Sequence, residues 1–187
     1  MPRNSAAIGL RAHSGWAVLV AVADDTPVFR RRIDMIESKA FRANQPYHAA
    51  AEMPLADAES FLKRTADECV KRTATAVADA LTALAADGYH VRHATILQAS
   101  GKPLPDLSKI LAAHPLIHTA EGVFFREVLQ RACRERGLIV AAVKERDIPP
   151  DLLAHFAAMA KVLGPPWTMD EKLAASAAST RRFFAAP

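Results

Sequence analysis

The sequence predicts one α/β domain built on a mixed five-stranded sheet, with three antiparallel strands followed by parallel strands and with helices on both faces. Three observations predict it: three β-type segments joined by short turns in the first 36 residues, one long amphipathic helix, and two later β-type segments separated by helices. A length of 187 residues suits a single core, which we place at about 8–183 of residues 1–187.

The first 36 residues predict an antiparallel meander. Residues 8–23 are rich in Val, Ala and Leu and are interrupted once by His13-Ser14-Gly15, which is typical of two strands joined by a tight turn. Polar residues at 24–27 give a second turn before a third strand over 28–36. Such short turns leave no room for a crossover, so the three strands pair antiparallel. These three strands are therefore expected to form an edge region of the sheet.

Helices and strands alternate in the rest of the chain. The patterns predict, in order, a helix over 55–84, a strand over 91–98, helices over 106–114 and 121–136, a strand over 138–143, and helices over 151–163 and 169–183. Gly88 suits the end of the first of these helices. The run 138–143 is apolar without alternation, which is typical of a central strand covered on both faces.

Composition restricts the class of protein. Hydrophobic residues make up 51% of the chain, which argues against disorder, and no apolar run approaches the ~20 residues of a membrane span. Cys69 and Cys133 lie inside amphipathic patterns, so we expect buried free thiols and a cytoplasmic, reducing location. The formal charge of +4 permits binding to phosphate groups without requiring it.

Short motifs point to a known superfamily. Ile8-Gly9-Leu10 stands before a turn that is followed by Gly15-Trp16-Ala17, and Leu173-Ala174-Ala175-Ser176-Ala177 lies in an Ala-rich closing helix. With the order βββαβαβα, these segments resemble the RNase H-like superfamily, in particular its Holliday-junction-resolvase branch, over residues 8–183. The resemblance implies the sheet described above and a nucleic-acid-related function.

The catalytic positions implied by the resemblance are changed in this sequence. Nucleases of the superfamily hold two divalent metal ions with carboxylates from the first strand, the fourth strand and the last helix. The first-strand position is Arg11, a cation that cannot ligate a metal ion. The fourth-strand position falls at Leu97 or Gln98 and the helix position at about Lys172, with Asp170 within one turn. No metal ion or other cofactor is therefore expected at this site.

The same three elements would converge in the resembled fold and gather a set of polar side chains. The candidates for anion binding are Arg11, His13, Ser14, Gln98, Ser100, Lys102 and Lys172, with Asp170 beside them. Such a cleft would suit phosphate, contacted by Arg11 and Lys102. The alternative is a vestigial site in which Arg11 pairs with Asp170.

A second candidate is the spacing His114-x3-His118-x2-Glu121. On one uninterrupted helix it would place three zinc ligands on one face. Because Pro115 interrupts the pattern, we prefer an interpretation in which a new helix starts at Thr119 and Glu121 interacts with its N-terminal dipole.

Two functional hypotheses follow, since the sequence contains no P-loop, G-x-G-x-x-G, C-x-x-C or Ser-His-Asp order. The first is a catalytically degenerate RNase H-like protein that binds nucleic acid or another polyanion through a basic cleft. The second is a non-enzymatic scaffold that forms a homodimer through the three-strand edge or the C-terminal helix. A metal-dependent nuclease with displaced ligands, using Asp170, Glu171 and His118, is the remaining alternative.

Overall fold

One mixed five-stranded sheet forms the centre of the structure, a computed structural model that describes residues 4–37, 42–101 and 103–180. Its strands are β1 (Asn4–His13), β2 (Trp16–Ala23), β3 (Thr26–Asp34), β4 (Tyr89–Gln98) and β5 (Ile139–Lys144). The spatial order is β3-β2-β1-β4-β5. The first three strands pair antiparallel, whereas β4 pairs parallel with β1 and β5 parallel with β4. The predicted mixed sheet is confirmed.

Helices cover both faces of this sheet, as predicted. They are α1 (Pro46–Ala50), α2 (Leu55–Ala86), α3 (Leu107–Leu111), α4 (His114–Glu135), α5 (Pro150–Ala158), α6 (Ala160–Leu163) and α7 (Met169–Ser179), with a 3-10 turn at Glu145–Asp147 after β5. The apolar sides of α2 and α4 pack with one face of β1 and β2 in the largest core cluster. The opposite face packs against α5 and α7.

The side chains of β1 alternate between the two faces of the sheet, which explains why large apolar residues flank a glycine in this strand. Ile8 and Leu10 are fully buried and pack toward α2 and α4. Gly9 faces α7, and a Cβ atom at this position would lie 1.8 Å from the carbonyl oxygen of Ala174. Glycine and the alanines of α7 therefore allow the helix backbone to approach the strand closely.

The three antiparallel strands form one side of the sheet with β3 at its edge, as predicted, but the position predicted for β5 is wrong. β5 is the other edge strand rather than a central one, and Ile139 is 56% exposed. An apolar run without alternation fits an edge strand here because four of its residues are alanine or valine and only one residue of β5, Val143, is buried.

The boundary predicted between the third and fourth helices is also wrong. α4 is continuous from His114, because Pro115 occupies its first turn, where the missing N–H group has no helical partner to lose. The short helix that was expected to reach His114 ends at Leu111. The last helix is described as far as Ser179, and the predicted residues 181–183 lie outside the described part of the chain.

The described helices include none that is both long and apolar enough to span a bilayer. Cys69 and Cys133 are buried and free, as predicted. Burial raises the pKa of the Cys69 thiol to about 11 and that of the Cys133 thiol to about 12. Both thiols are therefore protonated at neutral pH and act as small apolar core residues.

Candidate functional site

The carboxyl ends of three parallel strands meet at one edge of the sheet, and α7 begins beside them. β1, β4 and β5 run in the same direction, so Arg11, near the end of β1, and Glu145, directly after β5, reach this edge together. The first turn of α7 contributes Asp170. We call Arg11, His13, Glu145 and Asp170 the carboxyl-edge site.

Arg11 is the centre of this site and contacts two carboxylates. One guanidinium nitrogen, Nη1, donates to Oδ1 of Asp170, and the other, Nη2, donates to Oε1 of Glu145 over 2.8 Å. The Arg11 side chain is 26% exposed and that of Asp170 20% exposed, so water screens these ion pairs only in part. One positive and two negative side chains meet here, and Arg11 pairs with Asp170 as the alternative arrangement expected.

A stacked row of side chains continues from Asp170 across the antiparallel strands. Nε2 of His13 lies 3.0 Å from Oδ2 of Asp170, and the His13 ring stacks on Trp16 with centroids 4.1 Å apart. The guanidinium carbon of Arg32 lies 4.0 Å from the centroid of the Trp16 ring. His13 is the cross-strand partner of Trp16, and Arg32 is a diagonal neighbour of Trp16 because its own partner is Val18, so the row follows from the register of the sheet.

The start of α7 is held by a capping box. Oγ1 of Thr168 accepts a hydrogen bond from the Asp170 backbone N–H over 3.2 Å, and the Glu171 carboxylate accepts one from the Thr168 backbone N–H over 2.7 Å. Thr168 Oγ1 also donates to this carboxylate over 2.6 Å. Glu171 is therefore engaged in its own helix terminus, while Asp170 is left to face Arg11.

The fourth-strand position beside Arg11 is apolar. Leu10 is the partner of Ile96 in the register of β1 with β4, and both pack toward α2 and α4. Alternation then turns the next residue, Leu97, toward α7, where it is 3% exposed and packs with Leu173. The same alternation places Gln98 on the opposite face from Arg11. Of the two candidates for this position, it is Leu97 that faces the site.

The other predicted anion-binding residues are only partly gathered. Ser14 is exposed in the turn between β1 and β2, and Ser100 is exposed beyond the end of β4. Lys172 lies partly exposed in the first turn of α7, next to the carboxyl-edge site. Lys102 lies outside the described residues. The structure therefore unites Arg11 and His13 with Asp170.

Solved structures with the same architecture identify the fold. The chain is similar to Thermus thermophilus RuvC in complex with a Holliday junction substrate, with a TM-score of 0.58 and 13% sequence identity over 97% of this chain and 94% of that chain. A structure of T. thermophilus RuvC alone gives a TM-score of 0.54 and 14% identity over 96% and 95% of the two chains. The chain has the RNase H-like fold. No protein-family model matches it, and no curated protein does.

The residues at the carboxyl-edge site do not fit the pair of divalent metal ions that RNase H-like nucleases use. A metal pair requires several carboxylates that are free to coordinate. The first-strand residue here is a guanidinium and the fourth-strand residue a leucine, and the two carboxylates that are present already accept hydrogen bonds from Arg11. The site is suited to holding strand and helix ends together by ion pairs.

A second polar cluster lies on the other face of the sheet and corrects the interpretation of Glu121. Glu121 is 4% exposed and lies inside α4, seven residues after its first residue, so it does not belong to the N-terminus of that helix. Its Oε1 lies 2.8 Å from Nδ1 of His48, on α1, and 3.3 Å from the His48 backbone nitrogen, which donates to it. His114 and His118 on α4 complete the group. We call His48, His114 and His118 the histidine cluster.

Sequence reasoning missed Glu145, Trp16, Arg32 and His48 as site residues. A usable signal existed for Glu145, because it directly follows a predicted parallel strand and so belongs to the same sheet edge as Arg11. No local signal existed for His48, whose partners His114 and Glu121 lie 66 and 73 residues away in the chain. Only the packing of α1 against α4 shows this contact.

Proposed function

We propose that this RNase H-like protein binds nucleic acid and does not cleave it by the two-metal reaction. The observation that carries the proposal is the replacement of two coordinating positions, with Arg11 on β1 and Leu97 on β4 facing α7. An RNase H-like fold without a metal pair retains a surface for nucleic acid but loses the means to activate water and stabilise the leaving oxygen. Binding without cutting is the activity that remains.

The charge of the carboxyl-edge site decides which side chains would contact phosphate. Arg11 already donates to two carboxylates, so its charge is neutralised locally. Lys144 and Arg146 flank Glu145 and are exposed, and Lys172 lies two residues after Asp170. Arg146 has an ion pair of its own, with Asp147 at 3.6 Å, but that pair is exposed and therefore weak. We therefore infer that these three cations around the site make the phosphate contacts, and that the direct contact predicted for Arg11 requires an anion to displace a carboxylate first.

The solved neighbour in complex with a Holliday junction substrate suggests the probe. A fluorescently labelled four-way DNA junction, the corresponding duplex and a single strand are titrated with the protein at several salt concentrations. Binding through phosphate contacts predicts a linear fall of log K with log salt concentration, and Lys172→Gln should reduce the slope by roughly 0.9, the value of one contact. Lys63→Gln removes the same charge from exposed α2 on the opposite face and serves as the matched control.

Cleavage is measured on the same substrates with Mg²⁺ or Mn²⁺ present. The proposal requires the DNA to remain intact. Metal-dependent cleavage that is lost in Asp170→Asn would show that a nuclease persists despite Arg11 and would overturn the catalytic part of the proposal. Failure to bind any of the three substrates at low salt would overturn the binding part.

The displaced-ligand nuclease and the scaffold receive less support. His118 on α4 and Asp170 on α7 lie on opposite faces of the sheet, and Glu171 is held in the capping box, so these three cannot share a metal ion. For the scaffold, residues 173–179 of α7 are buried, and the β3 edge carries Arg31 and Arg32, charges that oppose edge pairing. A homodimer stays a prediction, which light scattering of the chain with and without residues 180–187 would test.

A further inference from the structure

We propose that the histidine cluster is a Zn²⁺ site that joins α1 to α4. The cluster consists of His48 on α1 and of His114 and His118, one turn apart on α4. One ligand nitrogen from each of the three side chains lies within 4.8 Å of the other two. Three imidazoles form a donor set that zinc prefers.

The distances fit a tetrahedral ion. Two imidazole nitrogens bound to one zinc at about 2.05 Å stand roughly 3.3 Å apart when the coordination is tetrahedral. Nε2 of His48 and Nε2 of His114 are 3.4 Å apart. The largest separation in the cluster exceeds the tetrahedral value by only about 1.5 Å, and His114 and His118 are exposed, so side-chain rotation can close it.

Glu121 prepares His48 for this role. Its buried carboxylate accepts a hydrogen bond from Nδ1 of His48 over 2.8 Å, which places the ring proton on Nδ1 and leaves Nε2 with a lone pair directed at His114. Metal-binding histidines commonly have such a carboxylate behind them, where it fixes the tautomer and orients the ring. Glu121 is thus a positioning residue, and the spacing His114-x3-His118 supplies the ligands of α4.

The fourth ligand of the proposed zinc ion is a water molecule and not a side chain of the histidine cluster. Among residues 4–37, 42–101 and 103–180, no fourth histidine, cysteine or carboxylate joins the cluster. A zinc ion with three histidine ligands keeps its fourth position for water. The exposure of His114 and His118 places that position at the surface, so the ion can exchange with solution.

The test uses the full chain without an affinity tag, first stripped of metal with a chelator. Elemental analysis after Zn²⁺ addition should give one equivalent for the wild type, and Co²⁺ should produce the visible absorption of a tetrahedral complex. His114→Ala and His118→Ala should abolish both signals, and Glu121→Gln should weaken binding by about 10–100-fold because its amide can donate to His48 Nδ1 and favour the wrong tautomer. The ¹⁵N shifts of the His48 ring, which report that tautomer, should change in Glu121→Gln.

His90→Ala is the matched control, since His90 is exposed at the start of β4 and outside the cluster. It should bind one equivalent with wild-type affinity. Far-UV circular dichroism verifies that each variant is folded, which is expected because His114 and His118 are exposed. Absence of Zn²⁺ from the wild type, or equal binding by the wild type and His114→Ala, would overturn the proposal independently of any result with DNA.

Discussion

The carboxyl-edge site and the histidine cluster lie on opposite faces of one sheet and satisfy their polar groups differently. At the carboxyl edge, two carboxylates face a cation that the chain itself supplies, Arg11. In the histidine cluster, three imidazoles face one another, and the Glu121 carboxylate lies behind His48. The first arrangement excludes a metal ion because its place is taken by a guanidinium, and the second leaves lone pairs that an ion from solution can use.

The largest effect is expected where α7 packs on β1, because Asp170 reaches Arg11 only while that packing holds. In Gly9→Ala the added Cβ would meet the backbone of Ala174 and Ala178, at 1.8 and 2.7 Å, and a backbone cannot rotate aside. We expect a loss of about 3 kcal/mol or more in the free energy of unfolding, measured by urea denaturation. Gly101→Ala, whose Cβ would meet nothing within 4 Å, is the control. Equal stability of the two variants would contradict this view of the helix contact.

Zinc should stabilise the folded chain only by binding to the histidine cluster. A ligand that binds only the folded state at one hundred times its dissociation constant adds about 2.7 kcal/mol to the free energy of unfolding. We expect this gain for the wild type and none for His114→Ala, with both measured by thermal unfolding in the presence and absence of Zn²⁺. A zinc effect that persists in His114→Ala would place the ion elsewhere.

Reversing the charge at position 11 should allow the carboxyl-edge site to bind a metal ion, as we propose for the histidine cluster. Arg11→Asp places three carboxylates together, and we expect a cost of about 2 kcal/mol, between the values for exposed and buried ion pairs. Mg²⁺ should recover part of this loss, because it takes oxygen ligands and not imidazoles. Urea midpoints with and without Mg²⁺ measure both effects.

Arg31→Asp makes the same change of charge on the exposed edge strand β3, away from Glu145 and Asp170. It should be less destabilising and insensitive to Mg²⁺. If Arg11→Asp behaved in the same way as this control, the ion pairs of Arg11 would have no role in holding β1, β5 and α7 together.

The two regions also differ in how far the sequence predicts them. The sheet follows from local signals, since short turns force β1 to β3 to pair antiparallel and helices between strands allow β4 and β5 to lie parallel. The position of β5 at the edge depends on which strands pair with it, and its apolar sequence does not indicate whether it has one neighbouring strand or two. Arg11 was found because the resemblance named its position, and Asp170 because it lies within one turn of the helix position placed at about Lys172. His48 enters its cluster only through the packing of helices.

The smallest effect is expected at an ion pair outside both regions, where the contributions of a hydrogen bond and of nearby charges to the pKa of a carboxyl group can be distinguished. Nη2 of Arg131 on α4 donates to Oδ1 of Asp67 on α2 over 2.7 Å, and this hydrogen bond is the main reason that the pKa of Asp67 is lowered. The charges of Arg131 and Lys63 lower the pKa further, while partial desolvation opposes them. We expect Arg131→Gln to raise the pKa of Asp67 toward the ordinary value of about 3.9, as measured by NMR titration of its carboxyl carbon.

The sign of the accompanying pH dependence follows from that lowered pKa. Asp67 binds protons less readily in the folded chain than in the unfolded chain, so its contribution to stability is present above the ordinary carboxyl pKa and is lost as the pH falls through the lowered one. Wild type and Arg131→Gln should therefore differ at neutral pH and converge in acid. Lys63→Gln removes a nearby charge but keeps the hydrogen bond, so it should move the pKa of Asp67 less; an equal shift would mean that net charge, and not the contact with Arg131, sets this pKa.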